Sequence, residues 1–298
     1  MQRRPNAAGL SPRAAGPRMH DAAIIGAGEL GGELAHVLAR RDVVRSICLI
    51  DAAGSVAAGK ALDIMQASPI EQFATRVSGA SDVSCAAATS IIVVADRVGQ
   101  AEWQGDEALL LLKQLSQIAS GGIVICAGAS HRELVERGVR EHRFRNDRLI
   151  GSAPEALAAA TRSMIALVTN GSVNDVALTV LGVPPLQTVV PWQTVTIAGF
   201  AAIDVLSEPV RRRIEARLEL LWPPGPHALA LAAAETISSF VSESHQTFSC
   251  FVAADDENGG RFRAAALPVR FGSSGITRME LPELDPRARV ALDTAMRL

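Results

Sequence analysis

The stretch "AAIIGAGELGGELAHVLARR", Ala22 to Arg41, decides how the rest of the chain is read. A short apolar run enters a cluster of glycines, after which Leu30, Leu34, Val37 and Leu38 recur on one helical face. Gly26, Gly28 and Gly31 therefore form G-x-G-x-x-G between a strand and a helix. In that setting Gly26 permits a tight turn, Gly28 lets the backbone approach a pyrophosphate, and Gly31 lets the helix pack close to the sheet. The helix start at Glu29 and Leu30 presents unpaired N–H groups and the positive end of the helix dipole, which suits an anion.

Working outward, "SICLID" reads as a second strand ending at Asp51, and "AAGKALDIMQAS" as a helix stopped near Pro69. An acid at that strand end accepts from adenosine ribose hydroxyls and repels an added ribose phosphate, so NAD is favoured over NADP. "SIIVVA" and "GIVICAG" read as further strands separated by the helix "GDEALLLLKQLSQIA". Strands alternating with helices predict an α/β fold, a Rossmann-type doubly wound parallel sheet. The expected cofactor-binding residues are Gly26, Gly28, Glu29, Leu30, Gly31 and Asp51.

The chain has 298 residues, 29 basic and 31 acidic, for a formal charge of -2 with no long block of either sign. This balance argues against nucleic acid or a membrane surface as the main partner. Charges also interrupt every apolar run before membrane-spanning length. Cys48, Cys85, Cys126 and Cys250 lack metal-ligand or redox-motif spacing and read as reduced thiols in a cytoplasmic protein. No metal site is expected. Residues 1–20 carry four arginines, three prolines and no acid, and are expected to be a disordered tail.

"GAGELGGELAHVLA", followed by "LIDAAGSVAAGKALDIMQASP", resembles the opening of the malate and lactate dehydrogenase family, particularly lactate-dehydrogenase-like malate dehydrogenases. "NDVALTVLG" and "VPWQTVTIAG" resemble the segments on either side of the family's active-site histidine loop. "ALPVRFGSSGITRMELPELDPRARVALDTAM" resembles its ending, with "GSSG" a turn between strand-like runs. The resemblance implies a dinucleotide-binding domain over 21–150 and a substrate-domain-like α+β domain with antiparallel strands over 151–298. It also implies NAD(H) as ligand and a homo-oligomer, dimer or tetramer.

Hydride transfer to or from a 2-hydroxy acid needs a general base held by a carboxylate, a cation for the substrate carboxylate, and another cation for the reacting oxygen. Where the family loop resembles P-R-K-P-G-M-S-R-D-D-L, this chain has "DRVGQAEWQGDEALLLL", with Gly99 and Gly105 at the arginine positions and Arg97 two residues away. Cys126, Ala127 and Gly128 stand at T-N-P, and the nearby His131 reads as a capping or solvent-facing side chain. At L-D-S-x-R, Leu157 replaces the aspartate and Ala160 the arginine. Arg162 and Glu155 each lie two positions away, which on a helix turns them by about 200°. Pro184 stands nearest the catalytic histidine position, with Gln187 following, and Pro226 stands at the serine of G-S-A, beside His227.

No catalytic residue is therefore assigned. The expectation is a dehydrogenase-like NAD(H)-binding protein with degenerate catalytic motifs. Two readings compete with it. One is an active NAD-dependent oxidoreductase using malate, lactate or a less charged carbonyl or alcohol through a non-standard site that recruits Arg97, Arg162, Gln187 or His227. The other is a purely structural protein with an empty nucleotide pocket.

Overall fold

The computed structural model describes residues 20–87, 89–118, 121–254 and 263–297. The tail expected over 1–20 lies outside these, apart from His20.

The glycine run does what its pattern requires. β1 (Asp21–Ile25) leads into α1 (Glu29–Arg41), and β2 (Ser46–Ile50) stops one residue before Asp51. Then come α2 (Gly54–Glu71), β3 (Arg76–Ala80), β4 (Ile91–Val94), α3 (Gly105–Ile118), β5 (Ile123–Cys126), α4 (Arg132–His142) and β6 (Leu149–Gly151). α2 runs past Pro69 and ends at a left-handed Gln72. A proline in the last turn forfeits one intrahelical bond without needing to break the helix there. β3, half exposed and polar, has no strong apolar run to announce it.

β1 to β6 form a parallel array in the order β3-β2-β1-β4-β5-β6. β1, β4 and β5 are buried along almost their whole length, which is why they read as continuous apolar runs. The strand order reverses between β1 and β4, and ligands of such sheets bind outside the carboxyl ends of the strands at that point. Gly26 follows β1 there, and Ala95 and Asp96 follow β4 on the adjoining strand.

The second half continues the same sheet. α5 (Ala153–Thr169), β7 (Val176–Ala177), β8 (Leu181–Val183), β9 (Gln187–Val189), β10 (Thr196–Ile197), β11 (Phe200–Ala201), α6 (Ala202–Val205), α7 (Glu208–Leu218) and α8 (Pro226–Ser242) precede β12 (Phe248–Ala254), β13 (Arg263–Gly272), β14 (Gly275–Met279) and α9 (Pro286–Arg297). β12 joins β6 antiparallel at Phe251 opposite Gly151, and β13, β8, β9 and β14 extend that antiparallel part. β7, β10 and β11 make a separate small sheet. The expected combination of parallel Rossmann-type sheet and antiparallel α+β half is the observed fold. α8 packs on α1, where Arg41 reaches Glu235 at 2.8 Å, so the helix after the glycine turn is braced from the second half.

No described helix is long and apolar enough to cross a membrane. Cys126 and Cys250 are buried, and burial raises both thiols; Cys85 is exposed, because it lies in a surface turn and not in a strand.

Candidate functional site: a nucleotide crevice and the region beside it

Gly26 adopts a φ of +112°, a conformation that side chains rarely take, and a Cβ there would lie 2.2 Å from the Asp96 carbonyl oxygen. A Cβ on Gly31 would lie 1.9 Å from the Gly26 carbonyl oxygen. These two glycines thus provide the tight turn and the close helix approach that their spacing predicts. Gly28 is different. The space its missing Cβ leaves is filled by the Asp96 carboxylate, whose Oδ2 would be 2.2 Å from that Cβ.

The N–H groups of Glu29 and Leu30 donate to Asp96 Oδ2 at 2.8 and 3.2 Å, and that of Gly31 donates to Oδ1 at 2.9 Å. The Gly28 N–H donates to the Asp96 carbonyl at 3.0 Å. The start of α1 is therefore capped by a carboxylate of its own chain, 65 to 67 residues downstream. Lys60, from α2, donates to the Gly28 carbonyl at 2.6 Å and fixes the turn from the other side.

Asp51 lies at the end of β2 as expected and is buried. Its Oδ2 accepts from the Ala27 N–H at 2.9 Å and the Val98 N–H at 3.0 Å, and its Oδ1 accepts from the Ala53 N–H at 2.9 Å. Burial works to raise this carboxyl, but the three N–H donors and nearby Arg97 outweigh it, and it stays below the ordinary aspartate value. A carboxylate offers about four acceptor positions, so one remains for a ribose hydroxyl. Beside it is a largely apolar cavity of about 270 Å³, between Ile25, Ile50, Val83, Val98 and Trp103, that suits a planar base.

On the far side of Asp96 is a second cleft, of about 540 Å³, where the other half of a dinucleotide would lie. Its charged lining residues are Glu29, Asp96 and Glu102, with Trp222, Pro223 and Leu229 among the apolar ones. Gln100 borders both spaces, so the segment after β4 divides the crevice in two. That segment is tied down. Asp96 bridges to Glu102. The Glu102 carboxylate accepts from the N–H groups of Ala129 and Ser130 at 2.9 and 2.8 Å and from the Ser130 hydroxyl. Burial opposes ionisation of Glu102, but the Ser130 hydroxyl, neighbouring His131 and these N–H donors keep it below the usual glutamate range. Arg97 stacks over Trp103 at 4.6 Å, pairs with Glu107 at 2.6 Å, and lines the smaller cavity rather than the larger cleft.

None of the side chains weighed as replacement machinery lines the larger cleft. His131 is fully buried, not solvent-facing: its Nδ1 accepts from the Gly128 N–H at 3.0 Å, and burial pushes it down to about 4 despite Glu102 nearby. His227 is an exposed side chain paired with Glu33 of α1 at 2.9 Å. Glu155 and Arg162, two helical turns apart on α5, pair with each other at 2.6 Å, and Glu155 also accepts from the Ser249 N–H. Burial raises the Glu155 carboxyl. Leu157 is 1% exposed and packs in an apolar cluster with Val190, Trp192 and Val195. Pro184 and Gln187 belong to the tight β8–β9 hairpin, where Val183 pairs with Gln187.

Asp96 is the residue of this site that the sequence pattern did not single out. An acid directly after the strand that neighbours the glycine turn was its available signal.

Residues 21–121 match the family described as lactate/malate dehydrogenase, NAD binding domain. The chain is 25% identical over 290 residues to a malate dehydrogenase of Chlorobium phaeobacteroides, covering 90% of this chain and 93% of that one. It is 26% identical over 297 residues to one from Thioalkalivibrio sulfidiphilus, covering 93% and 96%. Among solved structures it superposes on the lactate dehydrogenase of Cryptosporidium parvum in complex with lactic acid and nicotinamide adenine dinucleotide, with a TM-score of 0.83, 17% identity, and coverage of 94% and 95%. The malate dehydrogenase of Salinibacter ruber gives a TM-score of 0.81, 22% identity, and coverage of 92% and 93%.

The class is thus a Rossmann-type fold carrying an NAD-binding domain, and the chain is similar at the family level to malate and lactate dehydrogenases. NAD is the cofactor of this domain type. The base cavity and Asp51 fit its adenosine half, whereas the phosphate seat, as it stands, is filled by Asp96.

Proposed function

We propose that this chain is a malate/lactate dehydrogenase-like protein that binds NAD(H) at Gly26, Gly28, Glu29, Leu30, Gly31 and Asp51 but lacks standard 2-hydroxy acid dehydrogenase catalysis. The observation that carries this reading is the larger cleft. Its charged lining residues are all acids, and Leu157, buried in apolar packing, stands where the orienting carboxylate belongs. A dianionic substrate placed there would meet like charge and no guanidinium. A positioned base alone contributes on the order of 100- to 10,000-fold, and loss of one preorganised contact to the reacting oxygen costs about 3 kcal/mol. Loss of base, orienter and cations together removes the means of acceleration.

The reading extends to a cytoplasmic homo-oligomer organised as a nucleotide domain over 21–150 and an α+β domain over 151–298. NADH-linked turnover with a panel of 2-oxo acids and aldehydes, run beside an NADH binding titration, tests the catalytic part. Saturable NADH binding without turnover is the expected result, and it is unchanged in His227→Ala. Substrate-dependent NADH oxidation that disappears in His227→Ala would replace this reading with that of an active enzyme using a non-standard base. No saturable binding at millimolar cofactor would remove the NAD part.

A further inference from the structure

Asp96 lies where the fold brings the phosphates of a dinucleotide. Three consecutive N–H groups at the start of a 13-residue helix converge on its carboxylate. The missing Cβ of Gly28 makes room for that carboxylate. An ionised acceptor satisfied by several N–H donors is among the stronger protein hydrogen-bond arrangements. Being tethered, it also competes at an effective concentration that a free ligand must exceed.

Resting on the NAD-binding reading above, we propose that Asp96 is a built-in competitor for the dinucleotide phosphates: the resting chain closes its own phosphate seat, and NAD(H) enters only as the Asp96 side chain swings out. The backbone around Asp96 does not need to move. It is held by the Gly28 N–H, by the bridge to Glu102 and, two residues on, by Val98 donating to Asp51. Rotation about the first side-chain torsion of Asp96 moves the carboxylate between staggered wells. The larger cleft that it borders has room to receive it. That cleft already holds Glu29 and Glu102, so the displaced carboxylate meets like charge, and the closed arrangement is the ground state.

The closure acts on phosphate and spares the base. The cavity beside Asp51 lies on the other side of the dividing segment, so adenosine, which has no phosphate, is not opposed by Asp96.

The test measures binding of NADH, ADP and adenosine to the full chain and to Asp96→Gly and Asp96→Asn, with circular dichroism confirming that each is folded. NADH and ADP are expected to bind at least tenfold tighter to Asp96→Gly than to the unmodified chain, with Asp96→Asn between them. Adenosine affinity is expected to stay within twofold throughout. NADH binding of equal or lower affinity in both folded variants overturns the proposal while leaving the NAD reading standing. Failure of all three folded proteins to bind NADH, ADP or adenosine overturns both. Unfolding of both variants makes Asp96 a structural cap and overturns the proposal as well.

Discussion

The glycine turn at α1 and the middle of α5 are filled in different ways. Around α1 the glycines, the turn and the acid at the end of β2 are all in place, and one additional side chain, Asp96, fills the space they create. Around α5, Leu157 belongs to an apolar core with Val190, Trp192 and Val195, and under the proposed function it and Ala160 stand where polar groups would serve catalysis. The first feature is one rotatable side chain. The second is distributed through packing, so a single substitution there meets many neighbours at once.

Three experiments sharpen that contrast. The largest effect is expected from Leu157→Asp, which tests the proposed loss of an orienting carboxylate from α5. A carboxyl at a position 1% exposed, with apolar neighbours, should cost on the order of 4–5 kcal/mol and yield no turnover, as measured by urea unfolding and an NADH-linked assay. Survival of the fold with wild-type stability would show that this region is still a polar site.

Next are two alanines in the glycine turn. Gly31→Ala drives a Cβ to 1.9 Å from a backbone oxygen that cannot yield, and should cost roughly 3 kcal/mol. Gly28→Ala meets the far end of the Asp96 side chain, which can rotate away, so the expected loss is about 1 kcal/mol, the size of a lost helix cap. Equal losses would mean that Asp96 is as rigid as the backbone.

The smallest effect is in the pH profile. His131 is held neutral and pushed down to about 4, so the unfolded chain binds its proton first as pH falls below the ordinary value of 6.5. Its contribution is complete above that value and is lost as pH drops towards 4. Glu102, depressed below 4.5, adds a loss in the same direction only below that pH. Denaturant unfolding between pH 7 and 4.5 should therefore show declining stability, and His131→Gln should flatten the decline. A slope unchanged by that substitution would place its origin elsewhere.

Much of the nucleotide half was legible because its signals are local. A strand, three glycines at fixed spacing and an acid at the next strand end each act within a few residues, and the positions of Gly26, Gly31 and Asp51 followed. β3 was not legible because a half-exposed edge strand carries no long apolar run. His131 read as a capping or solvent-facing residue because it begins a helix-like run; it does stand at the N-terminal cap of α4, but the loop bearing Glu102 folds over it and buries it.

By itself the sequence determined the alternation of strand and helix and the turn that only glycines permit. These follow from backbone sterics and side-chain chemistry, which need no distant partner. Only the tertiary structure decided what fills the seat that the glycines make. Asp96 is 65 residues from Gly31 along the chain, and the two meet because β4 lies beside β1 in the parallel sheet. Hydrogen bonding from α1 to that carboxylate is a consequence of strand order, and strand order is set by burial of β1 and β4 on both faces.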